Sequence, residues 1–139
     1  MNKEKIFLDI INKTISDNSY LGDDCAYLKE LGLLVSMDSL VEDVHFKTSY
    51  YTPYELGKKA VLVNISDILA GGGVPLYILI SLSGKLNEDF IKEFYKGANA
   101  ICDNYNVKII GGDLVGGDKI SISIVILGNG FNRNLSSLK

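Results

Sequence analysis

The sequence predicts an α+β domain: a mixed, largely antiparallel sheet with helices on one face. Two long segments repeat apolar residues at helical spacing behind capping residues. Several others alternate in the manner of strands, and two of these form a hairpin. The order of the segments does not follow a strict strand–helix repeat. The 139 residues fit one domain, long enough for a core without staples.

The elements follow in order. Ile6, Ile10, Ile11 and Ile15, with Phe7 beside them, predict a helix over residues 3–17. Turn chemistry at Ser16-Asp17-Asn18-Ser19 closes it. Cys25–Leu28 then forms a short strand, Glu30-Leu31-Gly32 a turn, and Leu33–Met37 the returning strand. Asp24 opens one strand of this hairpin and Asp38 closes the other. Antiparallel pairing therefore brings the two carboxylates to the same end. Thr52-Pro53-Tyr54-Glu55 starts a helix running to about Ala70, with Thr52 as cap, Pro53 in the first turn and Glu55 completing a capping box.

Leu56, Ala60 and Val63 form a stripe on that helix, and four more residues lead to Asp67, with Asn64 one turn before it. Either Asp67 lies on the buried line and needs a partner or a metal, or the stripe drifts and Asp67 faces water. Gly71-Gly72-Gly73 ends the helix. Leu76–Leu82 is a strand apolar on nearly both faces. Asn87 caps a helix whose buried face is Phe90, Phe94, Ala98, Ile101 and Tyr105. Val107–Ile110 is a strand running into Gly111-Gly112-Asp113. Gly116-Gly117-Asp118 leads out of it, and Ile120–Leu127 is the last strand. Residues 131–139 are polar and are expected to fray, which sets the domain at residues 1–130.

Composition excludes several functions. Charged residues make up 22% and the net charge is −3, without a basic run, which argues against nucleic acid as a partner. No apolar run reaches the ~18 residues of a membrane span. Two separate cysteines, Cys25 and Cys102, suit a reduced, cytoplasmic protein and packed thiols. The charged N-terminus does not have the pattern of a signal peptide.

The stretch from Val35 to Phe46 concentrates the chemistry. It carries Ser36, Asp38, Glu42, Asp43 and His45, the only histidine in the chain. Taken alone, it is either a strand followed by a solvated acidic loop or a set of oxygen ligands at a sheet edge. Oxygen ligands suit Mg²⁺, whereas zinc favours Cys and His. Asp24, Asp38, Asp67 and Asp113 each fall at an element end or beside glycine, and Gly111 and Gly112 let backbone approach a ligand closely. Carboxylates sharing metal ions can bridge to the phosphates of a nucleotide. The glycine runs match neither the P-loop nor the dinucleotide fingerprint.

Four segments occur in a telling order: Gly22-Asp23-Asp24-Cys25-Ala26, Ser36 through Phe46, Lys59 through Asp67, and Ile109-Ile110-Gly111-Gly112-Asp113. Together they resemble the thiamine-monophosphate kinases, of the superfamily that includes aminoimidazole ribonucleotide synthetase. The resemblance implies ATP-dependent phosphorylation of thiamine monophosphate to thiamine diphosphate. It implies Mg²⁺ held by Asp24, Ser36, Asp38, Asp67 and Asp113, a substrate contact at His45, and Gly112 and Asp113 at the nucleotide. It also implies a homodimer in which two sheets face each other, and the apolar character of Leu76–Leu82 and Ile120–Leu127 agrees with that.

The chain departs from the family at three places. Met37 stands where a hydroxyl residue is usual. Leu114-Val115-Gly116 replaces a segment with phosphate contacts. The family's second α/β domain is absent from these residues. Two other readings stand beside the kinase: a different member of the superfamily, such as a selenophosphate synthetase or hydrogenase maturation factor, and a non-catalytic, dimerising Mg-nucleotide-binding module. A selenophosphate synthetase would carry a reactive Cys or selenocysteine ahead of its glycine-rich segment, and no Cys precedes Gly22.

Overall fold

The computed structural model describes residues 3–22 and 25–130. The elements are α1 (Lys3–Thr14), β1 (Ala26–Leu28), β2 (Leu33–Val41), α2 (Pro53–Ala70), β3 (Val74–Gly84), α3 (Glu88–Tyr105), β4 (Lys108–Gly116) and β5 (Ser121–Asn129). The five strands form one sheet in the order β1-β2-β5-β3-β4. All neighbours are antiparallel except β3 and β4, which α3 joins as a parallel crossover. This is the expected mixed α+β architecture.

One face of the sheet is covered. Ile78, Ile80 and Leu82 of β3 and Ile122, Ile124 and Ile126 of β5 are buried there, as is Leu34 of β2. Leu56, Val61, Ile65 and Ile68 of α2 and Phe90, Phe94, Ala98 and Ile101 of α3 belong to the same core. A fully buried side chain of this kind stabilises the fold by about 1.5–3 kcal/mol. The two helices cross at glycines. A Cβ on Gly57 would lie 2.0 Å from the Phe94 carbonyl oxygen, and one on Gly97 would lie 2.0 Å from that of Tyr54.

Local chemistry explains the helix starts. Thr52 Oγ1 accepts the Glu55 N–H at 3.1 Å, and Glu55 accepts the Thr52 N–H at 2.9 Å, so the predicted capping box is present. Asn87 accepts the Phe90 N–H at 2.8 Å. At the other end of α3, Asn106 takes the left-handed conformation at φ +58° and closes the helix.

Three expectations change. The first helix ends at Thr14, and all its residues are exposed, including Ile6, Phe7, Ile10 and Ile11. Its stripe therefore buries nothing. Tyr105 is also exposed, at the end of α3. Third, β2 continues to Val41 and β4 to Gly116, each through residues expected to lie in loops. The cause is the ladder with their neighbours: β5 pairs with β2 from Leu33 to Val41, and β3 pairs with β4 as far as Gly116.

Candidate active site

Ser36 and Asp38 lie within β2, not at its end. Pairing out to Val41↔Ser121 carries the strand past them. Alternation along the strand sets Leu34, Ser36, Asp38 and Leu40 toward the helices, while Met37 and Ser39 stand exposed on the other face. Ser36 is buried and Asp38 half-buried. The pairing Ala26↔Val35 brings the start of β1 beside this stretch. Asp24 itself falls outside the described residues.

The sheet separates the two acidic positions expected to work together. Asp38 pairs with Ile124, Ile124 with Ile80, and Ile80 with Gly112. Three strand spacings place β4 about 14 Å from Asp38. Asp113 pairs with Ser81, which puts it on the face away from the helices. Asp38 and Asp113 therefore cannot ligate the same ion within one chain. Gly111 and Gly112 sit inside a strand. A bulge at Ile110 shifts the register between Ile78 and Leu79, and Gly112 adopts φ +149° against the Ile80 backbone.

On α2 the buried line is Leu56, Gly57, Ala60, Val61, Asn64, Ile65 and Ile68. Val63 is partly exposed, so the stripe drifts, and Asp67 stands half-buried at its flank. The Asp67 carbonyl accepts from the Gly71 N–H at 3.1 Å and from Cys25 Sγ at 3.4 Å. The polar residue on the buried line is Asn64, only 2% exposed. Its Nδ2 donates to the Ala60 carbonyl at 2.8 Å, while its Oδ1 is buried without a donor. Such an orphaned acceptor costs about 1–3 kcal/mol.

His45 follows β2 in a tight loop. Its Nδ1 accepts the Val41 N–H at 2.9 Å, and its backbone N–H donates to the Val41 carbonyl at 2.8 Å. Phe46 is buried and anchors the far side of the loop, where Glu42 and Phe46 form a bridge. An open cavity of about 310 Å³ lies here, lined by Asp43–Lys47 with Tyr50 and Tyr51. Behind Tyr51 stands Lys59 of α2, with Nζ 4.8 Å from the ring centre and 3.3 Å from the hydroxyl. Asp38 and Val41 are three strand residues apart, about 10 Å. The His45 cavity is thus a neighbour of the Ser36–Asp38 site, not the same point. Sequence reasoning missed Tyr50, Tyr51 and Lys47 as lining residues. An aromatic pair directly ahead of a helix cap was the available signal.

The donor chemistry fits Mg²⁺. Every proposed ligand offers oxygen, and the buried Asn64 Oδ1 adds an acceptor without a donor on the same helix as Asp67. Among the described residues no three His, Cys, Asp or Glu side chains converge to hold an ion.

Comparison with known proteins bears on the family and the fold. Residues 22–130 match the family model for the AIR synthase related protein, N-terminal domain. The chain is 39% identical over 137 residues to a thiamine-monophosphate kinase of Bacillus subtilis, covering 92% of this chain and 42% of the relative. It is 38% identical over 125 residues to a thiamine-monophosphate kinase of Aquifex aeolicus, covering 87% and 40%. The chain thus spans about two fifths of the length of the curated relatives it matches. Among solved structures it superposes on AaThiL complexed with AMPPCP and TMP at a TM-score of 0.83 and 37% identity, covering 90% of this chain and 41% of that one. A HypE–HypF complex, at 23% identity and a TM-score of 0.71, shares the fold alone; it covers 91% of this chain and 41% of that one.

Proposed function

The chain belongs to the AIR synthase related family, and from that premise we propose that it is the amino-terminal domain of a thiamine-monophosphate kinase. The reaction is transfer of the terminal phosphoryl group of ATP to the phosphate of thiamine monophosphate, giving thiamine diphosphate. The observation that carries this reading is the 39% identity with the Bacillus subtilis kinase, maintained across nine tenths of the chain. The AaThiL structure that binds an ATP analogue and TMP supports it.

The residues divide the work. Asp24, Ser36, Asp38, Asp67 and Asp113 are the Mg²⁺ ligands. The metal, when bound, offsets the negative charge of the phosphates. Asn64, one turn before Asp67 on α2, adds a buried acceptor. His45 contacts the acceptor substrate, and Tyr50 and Tyr51 give its rings an apolar wall. Gly112 and Asp113 approach the nucleotide. Positioning does most of the catalysis, with no covalent enzyme intermediate.

Because Asp113 stands on the open face of the sheet, the site is completed by more than one isolated domain. The open face exposes Met37 and Tyr77, with Val35, Leu79, Val125 and Leu127 half-buried beside them. A second copy covers it in a homodimer. A further domain, of the kind that the relatives' greater length accommodates, supplies the rest of the site. The working compartment is the cytoplasm. Among the described residues no helix is long and apolar enough to cross a membrane.

Calorimetric titration of the 139-residue chain tests the reading. Thiamine monophosphate and Mg-ATP should each bind, and Asp38→Asn should lose the Mg-ATP signal. Turnover to thiamine diphosphate, followed by chromatography, should be far below the ~1 s⁻¹ of an ordinary enzyme until the second domain is supplied. Absence of binding by both ligands would refute the assignment. Light scattering at micromolar concentration should report a dimer, and a monomer would count against the sheet-to-sheet pairing.

A further inference from the structure

We propose that Glu42 is a positioning residue of this site: it clamps the loop of residues 42–46 to the start of β5 and so holds His45 as its Nε2–H tautomer, a fixed donor in the 310 Å³ cavity. Only the identity of the ligand rests on the kinase reading. The clamp rests on the loop's own hydrogen bonds.

The tautomer follows from Val41. His45 Nδ1 accepts the Val41 N–H at 2.9 Å. A ring nitrogen that accepts a hydrogen bond carries no proton, so the neutral ring bears its proton on Nε2. Nε2–H then remains as a donor, and its natural partner is an anionic oxygen or an unprotonated ring nitrogen. A phosphate oxygen and a pyrimidine nitrogen both have that chemistry.

Glu42 holds the loop in place. Its backbone N–H donates to the Ile120 carbonyl at 2.9 Å, and its Oε1 accepts the Ile120 N–H at 2.9 Å. Main chain and side chain of one residue thus close a ring with Ile120, which is itself buried. Thr48 Oγ1 approaches the second carboxylate oxygen at 3.5 Å. A carboxylate accepting a backbone N–H makes a charge-assisted bond, stronger than a neutral one. A second link, between the loop and the residues just before β5, is the Lys119–Asp43 ion pair at 3.1 Å, with both side chains at least half exposed. Exposed pairs of that kind contribute little. The loop also contains a strained position, since Asp43 takes φ +68°. Without the Glu42 carboxylate, the Ile120 N–H loses its acceptor and the strained turn loses its charge-assisted tie to Ile120.

Because His45 is the only histidine, ring ¹⁵N–¹H correlations of the labelled chain report it without overlap. In the wild type one ring nitrogen should show the shift of a bare acceptor and the other that of N–H. In Glu42→Ala both should move toward the average of exchanging tautomers, and affinity for thiamine monophosphate should fall about tenfold, as expected for a lost donor to a charged group. Glu42→Gln keeps an Oε1 acceptor and should restore both readouts to within about twofold. Ile101→Val, which weakens the core from α3, should leave the tautomer unchanged. A wild-type ring with its proton on Nδ1, or already in exchange, overturns the proposal even if Glu42→Ala fails to fold. So does a Glu42→Ala protein that keeps a single tautomer. Inorganic phosphate and thiamine, added separately, show which half of the ligand moves the Nε2 signal. If the tautomer stands as expected but neither thiamine monophosphate nor its halves bind, the clamp is supported and the kinase reading of its ligand fails.

Discussion

Gly112→Ala separates a glycine needed by the sheet from a glycine needed by a ligand. A Cβ at this position would lie 1.7 Å from the Ile80 carbonyl oxygen and 2.6 Å from the carbonyl carbon. An ordinary C···O contact is about 3.3 Å, so the shortfall is about 1.6 Å. The colliding atoms are backbone of β3, which β5 holds on its other side. Only the edge strand β4 can yield. Moving it by that amount stretches ladder bonds from about 2.9 to about 4.5 Å, outside hydrogen-bonding range. Two lost bonds at about 1 kcal/mol each, with about 1–3 kcal/mol for a side chain at φ +149°, give about 3–5 kcal/mol of destabilisation. Gly111→Ala is the matched control. Its Cβ would meet only Leu79 Cδ2, at 3.4 Å, and the change should stay within about 1 kcal/mol of the parent. Urea unfolding without ligand measures both. With a slope of about 2 kcal/mol/M, the Gly112→Ala midpoint should fall by about 2 M. If the two variants unfold within about 0.5 kcal/mol of each other, the sheet does not require this glycine and the steric reasoning is wrong.

Gly97→Ala should destabilise by about 1–3 kcal/mol despite its better helix propensity, because α2 and α3 must part where the new methyl meets the Tyr54 carbonyl; thermal unfolding checks this. Asn64→Asp places a charge on a side chain that is 2% exposed, so it should cost about 2–4 kcal/mol at pH 7 and much less at pH 4; equilibrium unfolding at both pH values would expose a pH-independent loss. Burial, with Asp103 adding to it, pushes the Cys102 thiol up to about 11. Labelling of Cys102 by a disulfide reagent should therefore be slow at pH 8 and speed up about tenfold per pH unit. The same shift gives a linkage effect: the folded thiol keeps its proton above the pH at which the unfolded thiol releases it. Stability should then fall as pH rises from about 9 to about 11, and a flat profile there would contradict the burial of this thiol.

Fold was legible where local chemistry and periodicity agreed. Thr52-Pro53-Tyr54-Glu55 states a helix start in three ways at once, and the structure contains both capping-box bonds. The alternation of Ile120 to Ile126 names a face, and the isoleucines are buried on that face. Strand ends were not legible, because pairing partners set them. Nothing local in Asp38-Ser39-Leu40-Val41 announces a strand. It is one because Ser121 to Ile124 lie alongside. The helical stripe through Leu56, Ala60 and Val63 failed for a related reason. Three-residue and four-residue steps both keep roughly to one face, and only the neighbour, α3 crossing at Gly57, decides which side of the helix is inside.

The candidate site divides along the same line. Residue types were legible: oxygen donors, one histidine and a glycine pair on a strand. Their grouping was not, because it depends on sheet order. Sequence places Asp38 and Asp113 in comparable settings, each closing an apolar run. The order β2-β5-β3-β4 then inserts two strands between them, and pleat parity puts them on opposite faces. A single chain therefore divides its acidic groups between a helix-covered side and an open side. A single ion cannot bridge the resulting span of about 14 Å. On the open face Met37, Tyr77, Leu79, Val125 and Leu127 form an apolar patch to one side of the pair Ser39 and Ser123, whose hydroxyls meet at 2.9 Å. The covered face carries the core of the domain and the buried Phe46 of the His45 loop, while Asp113 stands on the open face.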